Sequence, residues 1–155
     1  MIALWRSFAK ISLYLLISGI FTPEARAFQL VTDQEATLPD DLSGTVRGPT
    51  RGPDILIRSP SNNDSLVRSP VTLRIRFQAH GGAKIDRDSI VVTYKKLPPV
   101  DITQRIIGYI RDDGIGIEDA ELPPGVHRFQ ITVSDADGRR ATEFLTINVG
   151  KSSIK

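Results

Sequence analysis

Acidic side chains in two predicted loops are the groups of this sequence best suited to chemistry. They are Asp112, Asp113, Glu118, Asp119, Glu121, Asp135 and Asp137. Carboxylate oxygens on loops are the ligands that Ca²⁺ prefers. Neither group has the spacing of an EF-hand loop, and turn preference already accounts for the pair at 135 and 137. We therefore predict no metal site and no cofactor, and calcium binding at these loops is kept as the alternative.

Two histidines and no cysteine leave little for zinc or nucleophilic chemistry. His80 lies in a predicted loop and His127 in a predicted strand, which is too few imidazoles for a histidine zinc site without nearby carboxylates. The Ser-x-x-Lys pattern of penicillin-recognising enzymes occurs at Ser7 and Lys10, inside a predicted export signal. The sequence has no Gly-x-Ser-x-Gly, phosphate-binding loop or dinucleotide fingerprint. We predict that the chain is not an enzyme and has no catalytic or cofactor-binding residues.

Arg74 and Arg76 share one face of a predicted strand and are the candidate contact residues for a partner. Scattered arginines are ordinary surface residues. The favoured interpretation is therefore that these two arginines form a solvated face that protects a sheet edge. Sugar binding usually needs exposed aromatic rings. Trp5 lies in the predicted signal, which leaves Tyr94 and Tyr109, and Tyr94 points inward on the strand period. This weakens a glycan-binding interpretation without removing it.

The first 27 residues are typical of a secretory signal. Arg6 and Lys10 precede an apolar run at 11–21, and the small-x-small pattern that signal peptidase cleaves ends at Ala27. The apolar run is about half as long as the roughly 20 residues that a spanning helix needs. We predict cleavage after Ala27, a periplasmic or secreted protein, and no stable membrane span after the cut. A retained membrane anchor is the alternative.

The predicted mature chain is close to electrically neutral. The full sequence has 20 Lys and Arg side chains against 18 Asp and Glu, but the signal removes three of the basic and one of the acidic side chains. A chain without net positive charge lacks the electrostatic footprint of a nucleic-acid-binding protein, so nucleic acid is excluded as a partner. The absence of cysteine excludes disulfides, so the stability of the fold must come from its core.

Most of the chain from 54 to 150 alternates apolar with polar residues, which is the period of a strand with one buried face. Predicted strands cover 54–59 and 71–79, another carries Ile90 with Val92 and Tyr94, and a short one carries Ile115 with Ile117. A hairpin over 122–149 follows, with the inward residues Phe129, Ile131, Val133, Leu145, Ile147 and Val149. Asp137-Gly138 forms its turn, because a tight turn needs the positive φ that glycine tolerates.

Two segments depart from the strand period. Isoleucines recur every four residues at 102, 106 and 110, which predicts one short helix over 101–110 that crosses between two sheets. Asp101 and Gln104 give this helix a start that is similar to a capping box. The segment 28–53 has few large apolar residues and ends in repeated Gly-Pro pairs, so we predict a flexible leader there and a C-terminal tail at 151–155.

The hairpin carries a motif that resembles the last two strands of bacterial immunoglobulin-like, cadherin-like and fibronectin-type-III-like modules. In those families a Leu-x-x-Gly-x-Tyr-x-Phe-x-Ile/Val-x-Val-x-Asp-x-x-Gly run is common. The matching residues here are Leu122, Gly125, Phe129, Ile131, Val133, Asp135 and Gly138. His127 stands where the tyrosine of the run usually lies, and one tautomer of its imidazole would replace the tyrosine hydroxyl. The resemblance implies an all-β fold, an immunoglobulin-like antiparallel β-sandwich of about seven strands with one short helical crossover, over residues 54–150.

The resemblance is specific for fold and carries almost no information on function. Such sandwiches serve adhesion, glycan binding, enzyme accessory roles and plain spacing. We expect an exported, non-catalytic module that mediates a protein–protein interaction or has a structural role in the cell envelope. The expected partner is a protein of the envelope. A calcium- or glycan-binding accessory module is the alternative.

Overall fold

The structure is a computed structural model that describes residues 28–44, 51–61 and 66–151. The predicted signal, residues 45–50 of the predicted leader and most of the predicted tail lie outside these residues. The strands are β1 (Phe28–Gln29), β2 (Asp54–Ser59), β3 (Val71–Gln78), β4 (Ile85–Tyr94), β5 (Val100–Asp101), β6 (Ile110–Arg111), β7 (Gly114–Glu121), β8 (Gly125–Asp135) and β9 (Arg140–Val149). The helices are α1 (Asp33–Ala36), α2 (Thr103–Ile106) and a 3₁₀ turn (Ile107–Tyr109).

The described strands form two sheets. The five-stranded sheet has the order β1-β7-β3-β2, with β6 also paired to β7, and the four-stranded sheet has the order β5-β4-β8-β9. Each of these pairs is antiparallel except that of β1 with β7. The two-sheet architecture confirms the prediction of an all-β sandwich.

The inner faces of the two sheets enclose one hydrophobic core. Along β3, buried residues alternate with more exposed ones, because successive strand side chains point to opposite faces. The inward residues predicted for the hairpin are buried as well: Phe129, Ile131, Val133, Leu145, Ile147 and Val149. The hairpin turn contains the expected left-handed glycine, since Gly138 has a φ of +77°. The strand periods of β3 and of the hairpin are therefore confirmed.

The predicted helical crossover is present but shorter than predicted. Helix α2 and the 3₁₀ turn connect β5 in one sheet to β6 in the other, and the isoleucines at 102, 106 and 110 are all buried. The predicted capping box is wrong, because the N-cap is Ile102 and makes no side-chain hydrogen bond. Asp101 instead accepts a hydrogen bond from the backbone N–H of Thr103 at 2.8 Å. No helix in the described part of the chain is long and apolar enough to span a bilayer.

Residues 28–44 are part of the folded domain, so the prediction of a flexible leader is wrong there. Phe28 pairs with Ala120 when β1 joins β7, and Leu30 and Val31 are buried in the core. These two apolar side chains are few, but both enter the core between the sheets, which composition alone does not reveal. We refer to residues 28–44 as the N-terminal strap.

The end of the strap lies on the outer face of the four-stranded sheet. Asp41 forms an ion pair with Lys95, just after β4. The Arg128 guanidinium, on β8, donates to the backbone carbonyls of Leu42 at 3.3 Å and Gly44 at 3.1 Å. The strap therefore enters the core near one sheet and finishes on the outside of the other.

Candidate functional site

The outer face of the five-stranded sheet carries a row of arginines and glycines that comes from four strands. Arg74 of β3 pairs with Gly116 of β7, and Arg76 pairs with Gly114. Gly114 also pairs with Arg111 of β6. Directly paired residues of antiparallel strands share a face of the sheet. The register therefore brings together side chains that are widely separated in the sequence.

This row forms a shallow open trough with a volume of about 580 Å³. We refer to it as the arginine trough. Its lining residues are Arg58, Arg74, Ile75, Arg76, Arg111, Asp113, Gly114, Ile115, Gly116 and Glu118. The glycines lower the floor, because no side chain projects outward from these two positions of β7. Four arginines against two carboxylates make the trough electropositive.

Two arginines of the trough have carboxylate partners. The Nη2 atom of Arg74 lies 2.8 Å from Oε1 of Glu118, and Nη2 of Arg76 lies 2.8 Å from Oδ2 of Asp113. All four side chains are about 60% exposed, and exposed ion pairs of this kind contribute at most about 1 kcal/mol to stability. These pairs are thus open to water and can be rearranged at little cost.

The other two arginines of the trough have no partner within the described residues. Arg58 and Arg111 are exposed, and neither forms an ion pair or side-chain hydrogen bond with residues 28–44, 51–61 or 66–151. Arg58 lies where the register between β2 and β3 shifts, and such irregularities change the direction of a side chain. The strands that carry these two arginines, β2 and β6, lie on opposite sides of the glycine floor.

The two glycines of the floor differ in what the fold demands of them. A Cβ atom at Gly114 would collide with the carbonyl oxygen of Ile75, and its φ is +157°, so the backbone itself requires glycine there. A Cβ atom at Gly116 would have nothing within 4 Å, and its φ is not positive. The fold therefore requires glycine at 114 and tolerates a side chain at 116.

Comparisons with known proteins show no family for this chain. No protein-family model matches it, and no curated protein is similar to it. Among solved structures, it is similar to a Cellulomonas fimi endo-β-1,4-mannanase double mutant, with 25% identity over 63% of this chain and a TM-score of 0.33. The match covers 18% of the mannanase chain. A similarity this weak carries no argument about fold or activity.

The sequence predicted two of the four arginines of the trough but assigned them to the wrong part of the sheet. Arg74 and Arg76 share an exposed face as predicted, but β3 lies between β2 and β7, so their predicted role at a sheet edge is wrong. Arg58 and Arg111 were missed because no local pattern connects them to β3. One signal was present for the floor: Ile115 and Ile117 alternate with glycines, which places the glycines on the opposite face.

Three carboxylates of the acidic group after β6 pair with arginines. Asp113 and Glu118 pair with arginines of the trough, and Asp112 lies 3.2 Å from Arg87. Asp119 and Glu121 are exposed on β7. Within the described ranges, no group of three or more His, Cys, Asp or Glu side chains is arranged to hold a metal ion.

The second acidic group fixes the hairpin turn. Asp135 is buried and accepts backbone N–H bonds from Asp137 and Arg139, both at 3.0 Å. Its other oxygen lies 2.7 Å from Nε of Arg139. Burial raises the pKa of Asp135, but the hydrogen bonds and the guanidinium of Arg139 outweigh this effect and leave the pKa below its usual value. The carboxylate is thus engaged by the protein itself.

His127 occupies the corner position of the hairpin and is buried. Its Nε2 lies 2.7 Å from the carbonyl oxygen of Pro123, which can only accept, so Nε2 carries the proton. Nδ1 then accepts from the hydroxyl of Tyr94 at 2.9 Å. Burial lowers the pKa of His127, so the imidazole is neutral at pH 7. The imidazole therefore links β8 to the backbone four residues upstream and to the hydroxyl of Tyr94.

The remaining candidate side chains have structural contacts. Nε2 of His80 lies 3.2 Å from a carboxylate oxygen of Asp54. Tyr94 is fully buried, as predicted from its strand period. The ring of Tyr109 packs on that of Phe28 with 4.8 Å between centroids. None of these rings lines the arginine trough.

Proposed function

We propose that this chain is an exported, non-catalytic, immunoglobulin-like module that binds a protein of the cell envelope through the arginine trough. One observation carries the proposal: the outer sheet face has an open electropositive trough, and two of its guanidinium groups have no partner among the described residues. Exposed arginines are enriched where proteins bind one another, because the guanidinium group makes several directed hydrogen bonds.

The strand order supports the immunoglobulin-like part of the proposal. In a constant-type immunoglobulin domain, one sheet has the order A-B-E-D and the other contains C, F and G. Here β2, β3, β7 and β6 follow one another in the first sheet, and β4, β8 and β9 in the second. The histidine contact at the corner of β8 is a further point of similarity.

Export is supported by the sequence of residues 1–27, with basic residues before a short apolar run and a small-x-small ending. We propose a periplasmic or secreted location on this basis. The absence of cysteine is compatible with either, since the described domain is stabilised by an apolar core.

The chemistry of the trough supports binding to protein and not catalysis. Arginine stays protonated at all physiological pH values and cannot act as a base. Each of the two carboxylates of the trough pairs with an arginine. Sugar and nucleic-acid sites commonly present aromatic rings for stacking, and the lining residues of this trough include none.

The proposal is tested by reversing the charge of Arg74 and Arg76 together. The full chain, with a C-terminal affinity tag, is produced in its own source and crosslinked to its neighbours in the envelope, with and without calcium. We expect a protein that copurifies with the wild type and is lost from Arg74→Glu/Arg76→Glu, because β3 runs through the middle of the trough.

Arg68→Glu/Arg140→Glu is the matched control, since both arginines are exposed, lie outside the trough and change the net charge equally. Circular dichroism checks that both double variants fold. If every copurifying protein is retained by the trough variant, the proposed face is wrong. Enrichment only in calcium would instead direct attention to the acidic loops.

A further inference from the structure

Gly116 lies in the floor of the arginine trough, in the interior of β7. Glycine in the interior of a strand weakens the strand, because it has no side chain to pack and loses much conformational entropy on folding. The fold does not require it at this position, where a Cβ atom would have open space. A glycine of this kind often marks the site where another backbone approaches the sheet.

The positions of the unpaired arginines indicate how far a ligand must extend. Arg58 lies on β2 and Arg111 on β6, with β3 and β7 between them. Neighbouring strands are spaced by about 4.8 Å, so the two backbones are roughly 14 Å apart across the floor. An extended peptide covers about 3.4 Å per residue, so acidic side chains about four residues apart would reach both guanidinium groups.

The trough already accommodates carboxylates. Arg74 and Arg76 each bind a carboxylate oxygen of this chain at 2.8 Å. The planar guanidinium group matches a carboxylate in a two-point hydrogen-bonded geometry. The two free arginines offer the same chemistry to a carboxylate that the chain does not supply within its described residues.

The opposite outer face contains an example of the same arrangement. There the strap brings Asp41 to Lys95. Backbone carbonyls of the strap accept hydrogen bonds from Arg128 on the sheet face. An acidic, irregular segment of chain thus covers a cationic sheet face in this same molecule.

From these observations we infer that the arginine trough binds an acidic, extended segment of a protein partner, whose backbone crosses Gly116 and whose carboxylates pair with Arg58 and Arg111. This inference rests on the proposed function and specifies the chemistry of the partner. It favours peptide over an acidic glycan, because no aromatic ring lines the trough for a sugar to stack on.

Binding of a fluorescein-labelled octaglutamate peptide to the purified full chain tests the inference, with fluorescence anisotropy at low ionic strength as the readout. We expect Arg58→Glu/Arg111→Glu to weaken binding by about tenfold or more, since close charge pairs across an interface are lost and reversed. The matched control Arg68→Glu/Arg140→Glu should bind within about twofold of the wild type, because distant surface charges are screened by salt.

Gly116→Val separates a shaped site from charge alone. The substitution leaves every charge in place and raises the floor of the trough. We therefore expect octaglutamate to bind at least about fivefold more weakly. The lost contacts should mainly increase the dissociation rate. Gly116→Ala serves as a smaller step, with an intermediate loss. Binding of octaglutamate to Gly116→Val with wild-type affinity would overturn the inference, as would equal losses in the trough and control double variants.

Two further arms distinguish the sources of negative charge. An uncharged octaglutamine peptide should not bind. Tighter binding of an acidic oligosaccharide, oligogalacturonate, than of octaglutamate would overturn the peptide assignment in favour of a glycan.

Failure of this inference is distinguishable from failure of the proposed function. If the envelope protein is lost from Arg74→Glu/Arg76→Glu but retained by Gly116→Val and by Arg58→Glu/Arg111→Glu, the proposed face stands and the acidic-segment inference fails. If it is retained by all of the trough variants, the proposed face fails as well.

Discussion

The two outer faces of this sandwich are both cationic, and they differ in what covers them. On the four-stranded sheet, Lys95 and Arg128 are both engaged by the strap. On the five-stranded sheet, Arg58 and Arg111 have no such cover within the described residues. The difference indicates that an acidic segment can pair with the cationic side chains of such a face. Within the described residues, only one of the two faces receives such a segment.

The strap also provides partners for a buried cation beside the core, since Lys96 lies over the ring of the buried Tyr94. Nζ of Lys96 lies 2.6 Å from Oδ1 of Asp40 and 3.0 Å from the carbonyl oxygens of Ala36 and Leu38. Burial lowers the pKa of Lys96, but the hydrogen bonds and charge interactions with Asp40 and Tyr94 together outweigh this effect and raise the pKa above its usual value. A buried ammonium group needs such partners, since an unpaired charge is expensive to bury.

The largest effect is expected from weakening the strap where it enters the core. Leu30 is buried with 2% of its surface exposed, and truncating a buried leucine to alanine costs about 3 kcal/mol of unfolding free energy. We expect Leu30→Ala to show this loss in urea denaturation. Leu42→Ala is the control on the same strap, since Leu42 is 78% exposed and should change stability by less than about 0.5 kcal/mol. Equal losses would mean that the strap is not anchored by its core residues.

Acid should loosen the strap, because two of its carboxylates have lowered pKa values in the folded chain. The hydrogen bond from Arg105 lowers the pKa of Glu35 from 4.5 to about 2, and the hydrogen bond from Lys95 lowers that of Asp41 to about 2. Because these pKa values are lower in the folded chain, the stabilisation is present above about pH 4.5 and is lost as the pH falls toward 2.

Glu35→Gln checks the acid prediction. After allowance for solvent screening, we expect it to lower the unfolding free energy at pH 7 by about 1–2 kcal/mol and to flatten the loss of stability in acid. Urea denaturation at a series of pH values measures both. If the variant lost stability in acid as steeply as the wild type, the ion pair of Glu35 would not be the cause of that loss.

Gly44 should be sensitive to substitution because the strap lies close to the sheet. Its φ is +100°, and a Cβ atom there would lie 2.7 Å from Cζ of Phe144. We expect Gly44→Ala to cost about 1 kcal/mol, since a non-glycine residue is strained in this conformation. Thermal denaturation measures the loss. A variant as stable as the wild type would indicate that the strap does not hold this conformation in solution.

Gly116 should respond in the opposite direction. Valine suits a strand better than glycine, and a side chain at this position meets open space. We expect Gly116→Val to raise the unfolding free energy by about 0.5 kcal/mol while it weakens binding in the trough. A marked loss of stability would mean that the floor is more crowded than the structure indicates.

The smallest effect is expected from the exposed ion pair of Arg74 and Glu118. A double-mutant cycle with Arg74→Ala and Glu118→Ala should give a coupling energy below about 0.5 kcal/mol, because both side chains are exposed to solvent. A coupling energy well above this value would indicate that the ion pair stabilises the sheet. The pair would then not be readily available to a binding partner.

The arginine trough was only partly predictable because it depends on strand order. Alternation placed Arg74 and Arg76 on one outer face, since side-chain direction in a strand is a local property. Arg58, Arg111 and Gly116 joined them only when β2, β6 and β7 took their places in the sheet. No spacing in the sequence encodes which strands become neighbours.

The sequence by itself determined the hairpin, the main strands and the position of the crossover. Each of these depends on a repeat of apolar residues within a few positions of one another, and the structure follows that repeat at Phe129 and Leu145 as it does along β3. Tertiary structure alone decided the role of residues 28–44. Two apolar residues and two aspartates are too few to predict a folded segment, and they gain their role from β7, the core and the lysines after β4, which are distant in the chain.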